Sequence, residues 1–160
     1  AQKVIEHFQE ISKTKFGVVI PMAIYGPYDN FNQYGHAIPQ LVMKASKKMN
    51  PFEIWGDGSQ VRQFIYVDDV IDSLFYVLEN DPSAQPYNVG PGVSTTITEL
   101  VEEITGIYGY KPEFDYDTTK PIMIPKRQLD ISKIYELGWK PKFSLKDGLT
   151  KTISWYEENK

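Results

Sequence analysis

Residues 55–69 read Trp-Gly-Asp-Gly-Ser-Gln-Val-Arg-Gln-Phe-Ile-Tyr-Val-Asp-Asp, and they define the local fold more clearly than any other stretch of this chain. Two glycines separated by one residue favour a turn. Residues 62–67 follow with the β-branched and aromatic side chains typical of a strand. Asp68 or Asp69 can then cap the first turn of a helix. That helix carries an apolar stripe made of Val70, Leu74 and Leu78.

The order of elements around this stretch predicts an α/β protein, because strands and helices alternate along the chain. Residues 1–13 show helical spacing, and residues 17–22 form an apolar run typical of a strand buried on both faces of a parallel sheet. Such a strand needs neighbours, so we expect an N-terminal portion to precede this chain. Further helices are predicted at 37–48, 96–107, 132–137 and from 144 onward, and further strands at 87–89 and 113–116.

Composition limits the classes of function. The chain has 160 residues, of which 41% are hydrophobic and 24% charged, as in ordinary globular domains. A net charge of −4 with scattered basic residues argues against a nucleic-acid partner, and the apolar runs are too short for a membrane span. The absence of cysteine excludes thiolate metal sites, and two histidines argue against a histidine-rich one. We therefore expect a cytoplasmic protein without a metal site.

The opening stretch also places Trp55 seven residues before Arg62. An indole can lie against a nucleobase, and a guanidinium can bind a pyrophosphate through two hydrogen bonds. This spacing is therefore compatible with a nucleotide site. It fits a hairpin tip with a surface arginine equally well, so the spacing alone leaves both interpretations open.

Three other places carry candidate chemistry. Residues 21–31 run from a predicted strand into a Gly-Pro loop, and ligands of α/β sheets bind at the carboxyl ends of strands, although a plain turn would look the same. His36 precedes a helix and can titrate near neutral pH, or it can be purely structural. Residues 125–130 contain the adjacent cations Lys126 and Arg127, which in most proteins belong to a solvated turn.

Together and in this order, these stretches resemble the extended short-chain dehydrogenase/reductase family of nucleotide-sugar enzymes. The matching motifs are Tyr-Gly-Pro-x-Asp-Asn-Phe (25–31), His-x-Ile-Pro-x-Leu (36–41), Trp-Gly-x-Gly-x-x-x-Arg-x-Phe (55–64), Val-Asp-Asp (67–69), Asn-Val-Gly-x-Gly-Val (88–93) and Leu-Gly-Trp (137–139). The first two motifs point to the GDP-L-fucose synthase branch. The likeness covers nearly the whole chain and matches the C-terminal half to two-thirds of the family order.

The resemblance implies a Rossmann-like enzyme of which this chain is the C-terminal part. Residues 1–35 would end the Rossmann-like domain, and residues 36–160 would form mainly the substrate-binding subdomain, with residues 86–92 returning to the main sheet. The glycine-rich fingerprint of the family does not occur in this sequence, and the catalytic Tyr-x-x-x-Lys pair has no counterpart at the family position, although the same spacing occurs at Tyr116/Lys120 and Tyr156/Lys160. We therefore expect this chain alone to be inactive, and the full-length enzyme to be a homodimer.

The resemblance also implies roles for single residues. His36 would be the catalytic proton donor in epimerisation beside a keto group. Trp55 and Arg62 would hold the base and the diphosphate of the sugar nucleotide. Further substrate-binding residues would be Asn30, Lys44, Lys126 and Arg127, and the nicotinamide end of NADP or NAD would lie against Pro21, Met22, Ala23 and Ile24. Ala23 stands where the family usually carries asparagine.

The implied function is an NAD(P)-dependent nucleotide-sugar epimerase/reductase that converts GDP-4-keto-6-deoxymannose by 3,5-epimerisation and 4-reduction. A UDP- or dTDP-sugar 4-epimerase or dehydratase shares most of the motifs, but its histidine before Ile-Pro is not expected to be essential. A non-catalytic nucleotide-binding sensor or a purely structural interaction module could use the same fold.

Overall fold

The computed structural model describes residues 2–120 and 124–160. Helices and strands alternate through these residues, which confirms the predicted α/β class. The helices are α1 (Gln2–Ser12), α2 (Ala37–Ser46), α3 (Val67–Asn80), α4 (Ile97–Ile107), α5 (Ser132–Leu137) and α6 (Leu145–Asn159). The strands are β1 (Phe16–Pro21), β2 (Ala23–Tyr25), β3 (Phe52–Trp55), β4 (Val61–Arg62), β5 (Phe64–Tyr66), β6 (Ser83–Val89), β7 (Thr95–Thr96) and β8 (Phe114–Asp117).

The strands pair two by two among the described residues. The pairs β1–β6, β2–β5 and β3–β8 are parallel, and β4–β7 is antiparallel. Parallel pairing places the carboxyl ends of both strands at the same edge, so the loop after β2 and the first turn of α3 after β5 lie side by side. Residues 86–89 of β6 pair with β1, and the return of residues 86–92 to the main sheet stays a prediction. The domain boundary at residue 35 stays a prediction.

Helix ends follow the predicted local chemistry. Thr96 and Glu99 form the predicted capping box at the start of α4, each side chain accepting a hydrogen bond from the other's backbone N–H. The Ser144 hydroxyl accepts a hydrogen bond from the Asp147 N–H at 3.1 Å and caps α6. Gly138 ends α5 with a φ of 108°, a conformation that favours glycine.

The start of α3 differs from the prediction. The residue that precedes its first turn is Tyr66, so Asp68 and Asp69 lie inside the helix and do not cap it. Asp69 is buried, and its carboxylate accepts hydrogen bonds from the backbone N–H groups of Lys142 (2.9 Å) and Phe143 (3.2 Å). The Asp69 carboxylate, which the sequence predicted as a possible helix cap, therefore makes a long-range contact instead.

Two apolar cores meet at β5. Phe64 and Tyr66 point into the first core and Ile65 points into the second, because successive side chains of a strand face opposite sides. Full burial of one such side chain contributes on the order of 2 kcal/mol, so β5 is fixed from both faces. The first core includes Ile38, Val42, Phe52, Ile54, Leu100, Ile104 and Leu149, and the second includes Val77, Tyr87, Val89, Ile134 and Trp139.

The strand predicted to be buried on both faces is only half-buried. In β1, Ile20 is 47% exposed, and among residues 2–120 and 124–160 only β6 pairs with this strand. Large apolar side chains are also exposed on both neighbouring helices. They are Val4, Phe8 and Ile11 of α1 and Ile71, Leu74, Phe75 and Leu78 of α3, so the predicted stripe at 74 and 78 faces outward.

We expect the isolated chain to self-associate at high concentration, because an unpaired strand edge and exposed apolar side chains favour association. Replacing Phe8 and Phe75 together by glutamate should shift the population towards the monomer without changing the fold. Light scattering coupled to gel filtration measures this shift. A clean monomer of the unmodified chain at every concentration would contradict the expectation.

Trp139 belongs to a hydrogen-bonded network that joins α3 to the segment before α6. Its indole N–H donates to one Asp72 carboxylate oxygen at 2.8 Å, and the Lys142 ammonium donates to the other at 2.5 Å. The hydrogen bond from Lys142, helped by that from Trp139, lowers the pKa of Asp72 below its usual range. The folded state therefore favours the charged carboxylate.

Asp72→Asn should lower the free energy of unfolding at pH 7 by about 1 kcal/mol, because a partly exposed ion pair contributes less than a buried one. A lowered folded-state pKa adds stability above the unfolded aspartate pKa of about 3.9, and this stability is lost as the pH falls through the folded value. Urea unfolding at pH 7 and pH 3 should therefore show a difference between wild type and variant that shrinks at pH 3. A difference independent of pH would show that Asp72 contributes nothing through its charge.

Candidate functional site

A cavity of about 940 Å³ is lined by residues from the end of β1, from β2 and from the end of β3. Residues 21–29 form one wall, and His36 with the first turn of α2 forms a second. Trp55, Arg62 and Arg127 stand on the remaining side. The cavity thus combines an apolar surface with three side chains that can bind or transfer charged groups.

Most of the residues predicted for the site come together here. The cavity is lined by His36, Trp55, Arg62 and Arg127 and by the four predicted nicotinamide-side residues Pro21, Met22, Ala23 and Ile24. Asn30, Lys44 and Lys126 lie outside this lining.

Arg62 and Arg127 line the same cavity because the segment at Lys126 pairs in parallel with Val61 of β4. The Val61 N–H donates to the Pro125 carbonyl at 2.8 Å, and the Arg127 N–H donates to the Val61 carbonyl at 3.1 Å. The Arg62 guanidinium donates to the Val61 carbonyl at 2.8 Å. These backbone contacts bring two arginines that are far apart in sequence to one wall of the cavity.

Neither guanidinium has an acidic partner in the described part of the chain. Six ion pairs are found there, and none includes Arg62 or Arg127. Two unpaired guanidinium groups in one cavity create a positive potential that attracts a multiply charged anion. A diphosphate has the charge and the oxygen geometry for such a site.

Trp55 ends β3 at the rim of the cavity, where 59% of its surface is exposed. Its backbone is fixed, since the Gln60 side-chain amide donates to the Trp55 carbonyl at 3.1 Å and the Gly56 N–H donates to the Asp117 carbonyl at 2.9 Å. The Lys120 ammonium lies 5.6 Å from the centre of the indole. A large exposed aromatic on a fixed backbone offers a flat surface for stacking.

His36 precedes α2 with extended backbone, and its side chain is exposed. Within the described residues the imidazole makes no hydrogen bond that would fix it as a helix cap. The imidazole is therefore open to contact with a bound molecule, and the catalytic role of His36 stays a prediction.

Aromatic stacking fixes the loop that leads to His36. Tyr28 lies 4.8 Å from Trp155, and Phe31 lies 4.7 Å from Tyr156, measured between ring centres. Tyr28 has a φ of 65°, which is uncommon for a residue other than glycine. The contacts with α6 hold this loop over the cavity.

The structure does not bring three predicted residues to the cavity. The Lys44 ammonium lies 2.7 Å from the Glu53 carboxylate and 3.1 Å from the Glu53 carbonyl, so it pairs with β3. Asn30 is exposed, and its N–H donates to the Asp29 carboxylate at 2.7 Å. Lys126 is exposed, and its backbone pairs with that of Val61 next to the cavity-lining Arg62.

Sequence reasoning missed two buried glutamines of the lining, Gln60 and Gln63. The Gln63 side-chain carbonyl accepts a hydrogen bond from the Leu129 N–H at 3.0 Å and helps to hold residues 124–131 in place. Both lie in a stretch that reads as a turn and a strand, where a polar side chain is expected to face solvent. No local signal in the sequence marks them as buried.

Neither a membrane-spanning helix nor a metal cluster is found within residues 2–120 and 124–160. No helix there is both long and apolar enough to cross a membrane. No cluster of three or more histidine, aspartate or glutamate side chains in that part of the chain could hold a metal ion.

Two known proteins illustrate the sequence relationship. Probable GDP-L-fucose synthase 1 of Oryza sativa subsp. japonica is 39% identical over 145 residues, covering 88% of this chain and 44% of that protein. GDP-L-fucose synthase of Escherichia coli K12 is 32% identical over 171 residues, covering 98% and 53%. The chain spans about half the length of these curated relatives.

Structure and family comparisons agree with this relationship. The crystal structure of UDP-glucose 4-epimerase from Thermotoga maritima with UDP-glucose superimposes with a TM-score of 0.81 at 27% identity, covering 98% of this chain and 50% of that one. Residues 1–90 match the NAD dependent epimerase/dehydratase family. The α/β fold and the motifs that line the cavity agree with this match. The chain belongs to the NAD dependent epimerase/dehydratase family.

Proposed function

We propose that this chain is the nucleotide-sugar-binding part of an NAD(P)-dependent epimerase/reductase that acts on a GDP-4-keto-6-deoxy sugar. The observation that carries the proposal is the single cavity that collects His36, Trp55, Arg62 and Arg127. The identity to GDP-L-fucose synthases supports the choice of a GDP-sugar. The complete enzyme would be a homodimer, as the resemblance implies.

The nucleotide would bind along the side of the cavity formed by Trp55 and the two arginines. The base would stack on the exposed indole of Trp55, and the diphosphate would accept hydrogen bonds from Arg62 and Arg127. Because neither arginine has a carboxylate partner in the described residues, the diphosphate would neutralise both charges. The sugar would then point towards His36.

The chemistry would take place between His36 and residues 21–24. Ala23 and Ile24 are exposed at the start of β2, and together with the neighbouring Pro21 and Met22 they form an apolar ledge that fits the face of a nicotinamide ring. NADP or NAD bound there would supply hydride for the reduction of the keto group. After a base on the opposite face has removed the original proton, His36 would deliver a proton to the carbon that inverts, and the ledge would exclude water from it.

A UDP- or dTDP-sugar 4-epimerase is the second candidate. The structural similarity to UDP-glucose 4-epimerase with UDP-glucose favours it. The two candidates share the arginine-lined side of the cavity and differ in the base and in the need for His36. Base preference and the effect of a His36 substitution therefore separate them.

The first prediction concerns the base. Titration with GDP, UDP, dTDP and ADP should show the strongest quenching of tryptophan emission with GDP, because the base stacks on Trp55. Trp55→Phe should abolish this quenching, whereas Trp155→Phe, which removes an indole outside the cavity lining, should retain it. A preference for UDP or dTDP would favour the second candidate. No response to any nucleotide would contradict nucleotide binding by this chain.

The second prediction concerns the proton donor. In the full-length enzyme, His36→Ala should slow epimerisation by about 100-fold or more, the usual contribution of a general acid, and leave hydride transfer to the keto group largely intact. Formation of the inverted sugar, followed by NMR, measures the affected step, because a base on the opposite face can exchange the proton without His36. His7→Ala is the matched control, since His7 is the other histidine and lies on α1. Unchanged epimerisation in His36→Ala would remove the assignment.

A further inference from the structure

The last helix, α6, packs against Tyr25, a residue of the cavity lining that is only 3% exposed. The contact point on α6 is Gly148, which is buried. A Cβ atom added at Gly148 would overlap with the Tyr25 hydroxyl and lie 2.9 Å from the adjacent ring carbon. The same hydroxyl donates to the Leu145 carbonyl at 3.3 Å. Glycine destabilises a helix relative to alanine, so the space that Tyr25 needs gives Gly148 a physical reason.

Two aromatic side chains of α6 hold the loop of residues 26–35, which follows Tyr25. Trp155 lies 4.8 Å from Tyr28 and 5.8 Å from Phe31, measured between ring centres. Tyr156 stacks on Phe31 at 4.7 Å with nearly parallel rings. Aromatic rings at these separations attract each other beyond the burial of their surfaces, so α6 holds the loop at several points.

The remainder of the loop is compact and ends at His36. The Gly35 N–H donates to the Asn32 carbonyl at 3.0 Å. A Cβ atom added at Gly35 would overlap with the Asn30 carbonyl oxygen, so the chain turns back on itself very closely. These contacts leave little freedom between Phe31 and His36, and a displacement of Phe31 is therefore passed on to the imidazole.

We propose that α6 positions His36 in the cavity. Gly148, Trp155 and Tyr156 are positioning residues, because they set the place of the loop and the loop sets the place of the imidazole. The catalytic consequence rests on the proposed function, in which His36 delivers a proton. The side of the cavity proposed for the base and the diphosphate does not include this loop, so nucleotide binding does not depend on α6.

The first test is NMR of the two histidine imidazoles of this chain without ligand. His36→Ala identifies the His36 signals, and His7 on α1 is the internal reference. Gly148→Ala and Trp155→Ala should both shift the His36 signals and leave those of His7 in place. Gly148→Ala overpacks a buried position, whereas Trp155 is half-buried, so Trp155→Ala tests the same coupling without crowding the core.

Gly106→Ala is the matched control for Gly148→Ala. Gly106 also lies in a helix, α4, and a Cβ atom added there meets nothing within 4 Å. Alanine is the better helix former, so this variant should be at least as stable as wild type and keep both histidine signals. Adding Tyr25→Phe to Gly148→Ala removes the oxygen that the new methyl group meets and should reverse part of the His36 shift.

The second measurement follows the reaction in the full-length enzyme. Gly148→Ala and Trp155→Ala should lower kcat for epimerisation by about 10- to 100-fold, because a displaced catalytic group loses its orientation. GDP affinity and hydride transfer to the keto group should stay near the wild-type values. Gly106→Ala should retain the full rate.

The outcomes separate this inference from the proposed function. His36 signals that stay in place in both Gly148→Ala and Trp155→Ala overturn the positioning role, as do shifted signals with an unchanged rate of epimerisation. A loss of GDP affinity as large as the loss of rate also overturns it, since it shows a general effect on the fold. Shifted signals with a wild-type enzyme that converts no GDP-4-keto sugar support the coupling of α6 to His36 and overturn the proposed function instead. Shifted signals with slower epimerisation and wild-type GDP affinity support both.

Discussion

The site depends on the backbone of Val61, in a strand of two residues. Val61 pairs with Thr96 of β7 in one direction and with the segment at Lys126 in the other. Its N–H and its carbonyl both bind that segment, to Pro125 and Arg127. One residue therefore joins three distant parts of the chain, and it holds the segment of Arg127 beside Arg62.

This joint places two positive charges at one cavity. Arg62 and Arg127 both line it, and neither has a carboxylate partner in the part of the chain that the structure describes. Backbone hydrogen bonds and the buried Gln63 hold the segment of Arg127 in place. Two cations without an acidic partner at one cavity are suited to an anion.

Local chemistry could be predicted from the sequence, and long-range pairing could not. The capping box of Thr96 and Glu99 needs only four consecutive residues, and the structure confirms it. The Asp69 carboxylate accepts a hydrogen bond from an N–H more than seventy residues away, so the prediction that it could cap the helix was wrong. The strand at Phe52–Trp55 was missed, since its partner β8 begins about sixty residues later.

The same distinction applies to the candidate site. Trp55, Arg62 and Arg127 could be named because their residue types carry the chemistry of base and phosphate binding. Lys44 has an equally suitable charge, yet its contact with Glu53 depends on how α2 packs against β3, which no spacing in the sequence reveals. Gln60 and Gln63 were missed for a related reason, because their burial results from the segments that cover them.

The most direct test of the central claim is a crystal structure of this chain with GDP. The account predicts the guanine ring stacked on the Trp55 indole, at the ring separation of about 4.5–7 Å typical of aromatic pairs. It also predicts diphosphate oxygens within hydrogen-bond distance of the Arg62 and Arg127 guanidinium groups. GDP bound elsewhere on the chain, or diphosphate oxygens that contact neither arginine, would contradict it.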